Sequence, residues 1–200
     1  MESEYIKEQA SSSHKVNSLH SGVKRVWIEI GFVIMVLAAI ATWSAVDAFL
    51  SLSMAGTICK AAINTVGMVI IYYAMLRGML PLRHPLTKMW IVLLALNVIG
   101  FVTSLLRFYG EPFESIDFKV ASSLSLAYLP MGVLLMAWYR GKLGRIGLWM
   151  ILRILTCILL PIAWLMFLGG RMLILLDIIV LAVELIYAYL LRDILVADNR

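Results

Sequence analysis

With 200 residues, 62% of them apolar and only 14% charged, the chain falls well short of the roughly 25% charged share of a water-soluble domain. A mean hydropathy of +0.95 points the same way, and no polar stretch is long enough to bury a soluble core of its own. The net charge of +5 does not signal nucleic acid, because the excess Lys and Arg sit beside the ends of apolar stretches, where the cytoplasmic side of a membrane retains them.

Residues 1–25 are rich in Ser, Glu and Lys, include the run Ser11-Ser12-Ser13 and show no apolar periodicity. They are expected to form a polar cytoplasmic tail, disordered or lying on the membrane surface. The first apolar span is expected at 26–50. Ala39-Ile40-Ala41 has the small-residue pattern of a cleavage site, but the apolar run continues to Leu50, which predicts a retained helix rather than a signal peptide. A tight turn at Ser51-Leu52-Ser53 leads into a second span at 54–76. The next connection carries Arg77, Arg83 and Lys88, with Pro81 and Pro85 preventing one continuous helix.

A third span is expected at 89–106. The connection Arg107–Lys119 that follows is the only acidic one, with Glu111, Glu114 and Asp117. A fourth span at 118–139 ends at the basic connection Arg140, Lys142 and Arg145. A fifth at 146–168 turns through Gly169-Gly170-Arg171 into a sixth at 172–191, and 192–200 form a C-terminal tail. About 20 helical residues cross the ~30 Å hydrocarbon core, so the whole of 26–191 reads as a bundle of transmembrane helices. Of the 17 Lys and Arg, only Arg107, Lys119 and Arg171 fall in the odd-numbered connections, while Lys60 and Arg153 lie within spans. Counting basic residues, both termini belong in the cytoplasm. The expected fold is an all-α integral membrane protein of six transmembrane helices in a bacterial plasma membrane, in contact with the lipid bilayer and with anionic head groups at its inner basic loops.

An internal repeat accompanies this pattern. Trp27, Trp90 and Trp149 stand near the starts of the odd-numbered spans, at the interface depth that amphipathic rings prefer. The even-numbered spans end in Ala74-x-x-Arg77-Gly78-x-Leu80 and Ala137-x-x-Arg140-Gly141-x-Leu143, echoed by Tyr189-x-x-Arg192-Asp193-x-Leu195. Trp27 precedes Arg77 by the same spacing as Trp90 precedes Arg140. Three tandem helical hairpins about an axis near the membrane normal would produce these matches; convergence of interface residues would also do so.

Ionisable residues inside a span are costly and usually face a bundle interior or a wet cavity. Here they are Asp47, Lys60, Arg153, Asp177 and Glu184, with Glu29 near the inner surface. From the helical rise, Lys60 and Asp177 lie roughly 9–12 Å below the outer surface, and Arg153 and Glu184 roughly 10 Å above the inner one. Helical spacing puts Asp177 and Glu184 on one stripe, Lys60, Asn64 and Gly67 on another, and Asn97, Gly100 and Ser104 on a third. These residues predict a polar seam through Asp47, Lys60, Asn64, Asn97, Arg153, Asp177 and Glu184, with Lys60 paired to Asp177 or Asp47 and Arg153 paired to Glu184. Such pairs can serve a solute or proton path, or can merely specify how helices associate. Pro130 and Pro161 are expected to kink their helices.

No GxxxxGK[ST], GxGxxG or HExxH motif occurs, and His14, His20 and His84 all lie outside the spans. No catalytic group, metal or cofactor is expected, nor is an enzyme. Cys59 and Cys157 lack a CxxC neighbour and read as small core-filling side chains. Two functional classes fit: a small transporter or permease-like protein using the polar seam, or a non-transporting membrane component whose buried charges are structural. The latter would be an assembly partner, regulator or immunity factor, or a homo-oligomer, meeting its partner through the tail, the basic loops or Arg107–Lys119.

Overall fold

The computed structural model describes residues 14–82, 86–106, 109–156, 162 and 173–197. Outside them lie the Ser11-Ser12-Ser13 run, Arg83, His84, Pro85 and Arg107, the second half of the fifth expected span with Cys157 and Pro161, the Gly169-Gly170-Arg171 connection and residues 198–200. The described chain is helical apart from one pair of two-residue strands. In order come β1 (His14–Lys15), α1 (Arg25–Ala41), α2 (Ser44–Ser51) and α3 (Met54–Met79), the last continued by a 3-10 turn at Leu80–Leu82. Then follow α4 (Leu86–Leu106), α5 (Phe113–Trp138), β2 (Tyr139–Arg140), α6 (Lys142–Ile154) and α7 (Leu173–Val196).

Among the described residues, four helices are long and apolar enough to cross a membrane: Met54–Leu82, Leu86–Leu106, Phe113–Trp138 and Ile174–Val196. The first expected span is instead divided. Thr42 folds its hydroxyl back onto the Ala39 carbonyl at 2.6 Å, a local bond that competes with helix continuation. Trp43 is extended, and the chain restarts as α2. The acidic connection also differs from its expected form. Pro112 precedes α5 with a helix-compatible φ of −92°, and Glu114 in the first turn complements the helix dipole. The helix therefore starts at Phe113, so Glu114, Asp117 and Lys119 are helical rather than looped.

Contacts run α1–α3–α4–α5–α6–α7 and back to α1, with α3 also touching α7. The six helices thus close a ring. Two of its seams depend on missing side chains. Gly132 of α5 and Gly147 of α6 face each other so closely that a Cβ on Gly147 would lie 2.5 Å from the Gly132 carbonyl and 2.8 Å from Leu135 Cβ. At the crossing of α1 and α3, Gly31 lies against the Ile70 and Ile71 side chains, and Gly67 lies against Ile34 and Met35. Small residues at such crossings let backbones approach, which drives helix association where water does not.

Packing is densest toward the end that carries Arg77, Arg140 and Arg192, here called the basic end. Met75, Met79, Trp90, Leu93, Met131, Leu135, Leu143, Ile146, Tyr187 and Leu191 are all fully buried there. The repeat does not extend to burial: Trp27 is 55% exposed, whereas Trp90 is wholly buried against Tyr72. Trp90 is therefore a core residue and not the interface anchor its position suggested. Cys59 is likewise exposed on α3 rather than core-filling.

The polar tail departs from expectation from residue 14 onward. Residues 14–22 cross the basic end as a strap. Val16 N–H donates to the Arg140 carbonyl at 3.0 Å, Leu143 N–H to the Val16 carbonyl at 3.2 Å, and Leu19 N–H to the Ile194 carbonyl at 2.9 Å. Leu19 is buried, and a Cβ on Gly78 would come within 2.9 Å of its own Cβ. Gly141, at φ +82°, would collide with Asn17 Oδ1 if it carried a side chain. The glycines of both A-x-x-R-G-x-L motifs are thus the places where the strap lies against the bundle. The third copy has Asp193 instead, which pairs with Lys142 at 2.7 Å.

Candidate functional site

A partly open cavity of about 340 Å³ lies between α3, α4, α5 and α6, in the half of the bundle away from the basic end. Helical spacing builds its walls. On α4, Asn97, Phe101 and Ser104 follow one stripe; on α5, Asp117, Ala121, Leu124 and Tyr128 do the same; Asn64 and Met68 come from α3 and Arg153 from α6. Asn97 donates through Nδ2 to the Leu93 carbonyl at 2.7 Å. At the far end of the cavity, Asp117 Oδ1 accepts from the Thr103 and Ser104 hydroxyls at 2.9 and 3.1 Å.

The floor is a cluster of aromatic and charged groups. Arg153 Nε donates to Glu184 Oε1 at 2.5 Å, joining α6 to α7. The guanidinium carbon lies 5.3 Å from the Tyr128 ring centroid and 5.4 Å from that of Tyr187, a cation–π arrangement that strengthens away from water. Below it the Tyr72 hydroxyl meets those of Tyr128 and Tyr187 at 2.6 and 2.9 Å, and the Tyr72 ring meets Trp90 edge-on at 5.1 Å. The buried Trp90 indole N–H has no hydrogen-bond partner among the described residues. Tyr128 and Arg153, backed by Tyr72, Tyr187 and Glu184, therefore close the cavity toward the basic end.

The expected seam residues fall into three groups. Asn64, Asn97 and Arg153 line the cavity, with Glu184 behind Arg153. Lys60 and Asp47 form an ion pair between α3 and α2, half-exposed and outside the cavity wall. Asp177 is partly buried on α7; the ion-pair partner of Lys60 is Asp47. The structure also joins groups that spacing alone did not bring together. Arg192 grips Glu29 through two bonds of 2.6 Å and lies over the Phe32 ring at 5.3 Å, closing the ring between α1 and α7. The tyrosine cluster was legible only as three hydroxyls inside apolar spans, each of which needs a partner. Among the described residues no group of three or more His, Cys, Asp or Glu could hold a metal ion.

No protein family, curated protein or solved structure matches the chain.

Proposed function

We propose that the chain is a small transporter or permease-like protein of a bacterial plasma membrane, with six spans and both termini in the cytoplasm. The observation that carries this reading is the cavity of mixed polar and apolar lining, about 340 Å³ in volume, which is within the range of small-ligand pockets. It is built from four different helices, and its lining includes a guanidinium held by Glu184. Its amides, hydroxyls and single arginine suit binding rather than bond cleavage. The alternation of basic residues along the chain supports the orientation, with α1 and α2 together forming the first span and α6 beginning the fifth.

The test is solvent access. In a Cys59→Ser, Cys157→Ser background, Asn64→Cys in intact cells is expected to react with a water-soluble, membrane-impermeant thiosulfonate applied from outside. A cysteine that stays unmodified there, yet reacts after denaturation, overturns the open cavity. A reporter fused after Arg200 is expected on the cytoplasmic side; an external reporter overturns the six-span orientation.

A second reading is favoured by the ion pairs. Lys60–Asp47 and Arg153–Glu184 are satisfied within the protein, as a non-transporting assembly partner, regulator or immunity factor would require. On that reading a partner or a second copy co-purifies from membranes through the strap, the basic loops or residues 107–119, and Asn64→Cys stays dry.

A further inference from the structure

Building on the cavity reading above, we propose that the cavity floor is a carboxylate site and that its ligand is a small monocarboxylic acid with a largely apolar body. Arg153 is oriented by its Nε bond to Glu184 and by the Tyr128 and Tyr187 rings on its faces. Among the described residues, neither Nη nitrogen has a protein acceptor. The side chain is 20% exposed and lines the cavity. A planar guanidinium with its end-on fork uncommitted matches a carboxylate through two parallel N–H donors. Asn64, on the α3 wall of the same cavity, makes no hydrogen bond to the described protein and offers a further polar group to its interior.

The rest of the lining sets what the carboxylate is attached to. Met68, Phe101, Leu124 and Ile154 present apolar surface around the floor. Asp117 stands toward the other end, about 16 Å from Tyr128 along α5. Its negative charge disfavours a second anionic group at the mouth, which selects a monocarboxylate over a dicarboxylate or a phosphate ester. Glu184 already neutralises Arg153 from the Nε side, so binding is weak enough to be reversible, as release of a transported solute requires.

The experiment uses the full-length chain in detergent, with Cys59→Ser, Cys157→Ser and the near-isosteric Ser125→Cys on the cavity wall. Its labelling rate by a water-soluble thiosulfonate is measured with benzoate, with neutral benzamide and with cationic benzamidine. Benzoate is expected to slow labelling about fivefold at about four times its Kd, because protection follows 1 + [L]/Kd. Benzamide and benzamidine are expected to leave the rate unchanged. Arg153→Lys, which keeps the charge but loses the fork, is expected to abolish protection; the three-ligand comparison does not depend on that variant folding. Labelling that benzoate does not slow, or that benzamide or benzamidine slows equally, overturns the carboxylate site while leaving the open cavity standing. A Ser125→Cys that never reacts overturns both.

Discussion

Arg153 and Glu184 join α6 to α7 through a 2.5 Å bond, with the arginine side chain 20% and the glutamate side chain 11% exposed. Both charges are largely withdrawn from solvent, so each depends on the other. Removing one partner of such a pair leaves an uncompensated buried charge, at a cost of about 3 kcal/mol. Arg153→Glu alone and Glu184→Arg alone are each expected to lower the melting temperature of the purified protein sharply. The double exchange is expected to recover most of that loss. Thermal unfolding of all four proteins checks this, and a double variant no more stable than the singles would show that the two residues do not act as a pair.

The α5–α6 seam makes a second, independent expectation. A Cβ at Gly147 would meet the Gly132 carbonyl at 2.5 Å and Leu135 Cβ at 2.8 Å, and the carbonyl, being backbone, cannot retreat unless the helices separate. Gly147→Val is expected to destabilise by several kcal/mol, at the upper end for overpacking. Gly100 is the control, since a Cβ there would meet only Val120 Cγ1 at 3.7 Å. Gly100→Ala is expected to be neutral or stabilising by up to about 1 kcal/mol, the difference in helix propensity. Melting temperatures that respond alike to the two changes would remove the close crossing as the explanation.

These two relationships mark how far the sequence can be read. Arg153 and Glu184 could be matched because helical rise fixes depth and heptad spacing fixes facing, and both are one-dimensional quantities. The long helices were legible for the same reason: hydropathy is a local property. The division of the first span at Thr42 was not, since it turns on which carbonyl a hydroxyl bonds. Nor was the strap. Leu19 is one apolar residue in a polar tail, and only the three-dimensional approach of Gly78 and Gly141 gives it somewhere to bind. Lys60 could be matched by depth to Asp47 or Asp177, but the choice between α2 and α7 as its neighbour is tertiary. The cavity shows the same division. Asn64, Asn97 and Arg153 were nameable as intramembrane polar residues, whereas Asp117 looked like part of a loop until α5 carried it back to Thr103 and Ser104.

The strap should detach without unfolding the bundle. Leu19 is 3% exposed and is the buried apolar anchor of residues 14–22, worth about 2 kcal/mol on transfer from water. Leu19→Asp removes that anchor, and Gly78→Leu fills the space the anchor occupies. Both are expected to raise amide hydrogen exchange at Val16, at position 19 and at Leu143, whose N–H groups bond between the strap and the bundle, while far-UV circular dichroism stays unchanged. Protection that persists at Val16 in both variants would show that the strap is held by other means.

Tyr72 carries the last expectation, because one hydroxyl there serves two neighbours. It meets Tyr128 at 2.6 Å and Tyr187 at 2.9 Å, and all three side chains are buried. Tyr72→Phe keeps the ring against Trp90 but takes a partner from two buried phenols, at a cost of about 1–3 kcal/mol each. Tyr73, next in the chain, is 46% exposed, so Tyr73→Phe should change stability by less than about 0.5 kcal/mol. Replacing all three clustered tyrosines by Phe is expected to cost less than the sum of the single changes, since no stranded hydroxyl is left when all are removed. Thermal unfolding of Tyr72→Phe, Tyr128→Phe, Tyr187→Phe, Tyr73→Phe and the triple variant decides the matter. Equal losses for Tyr72→Phe and Tyr73→Phe would mean that the hydroxyl cluster contributes nothing, and that the ring packing alone holds the floor of the cavity.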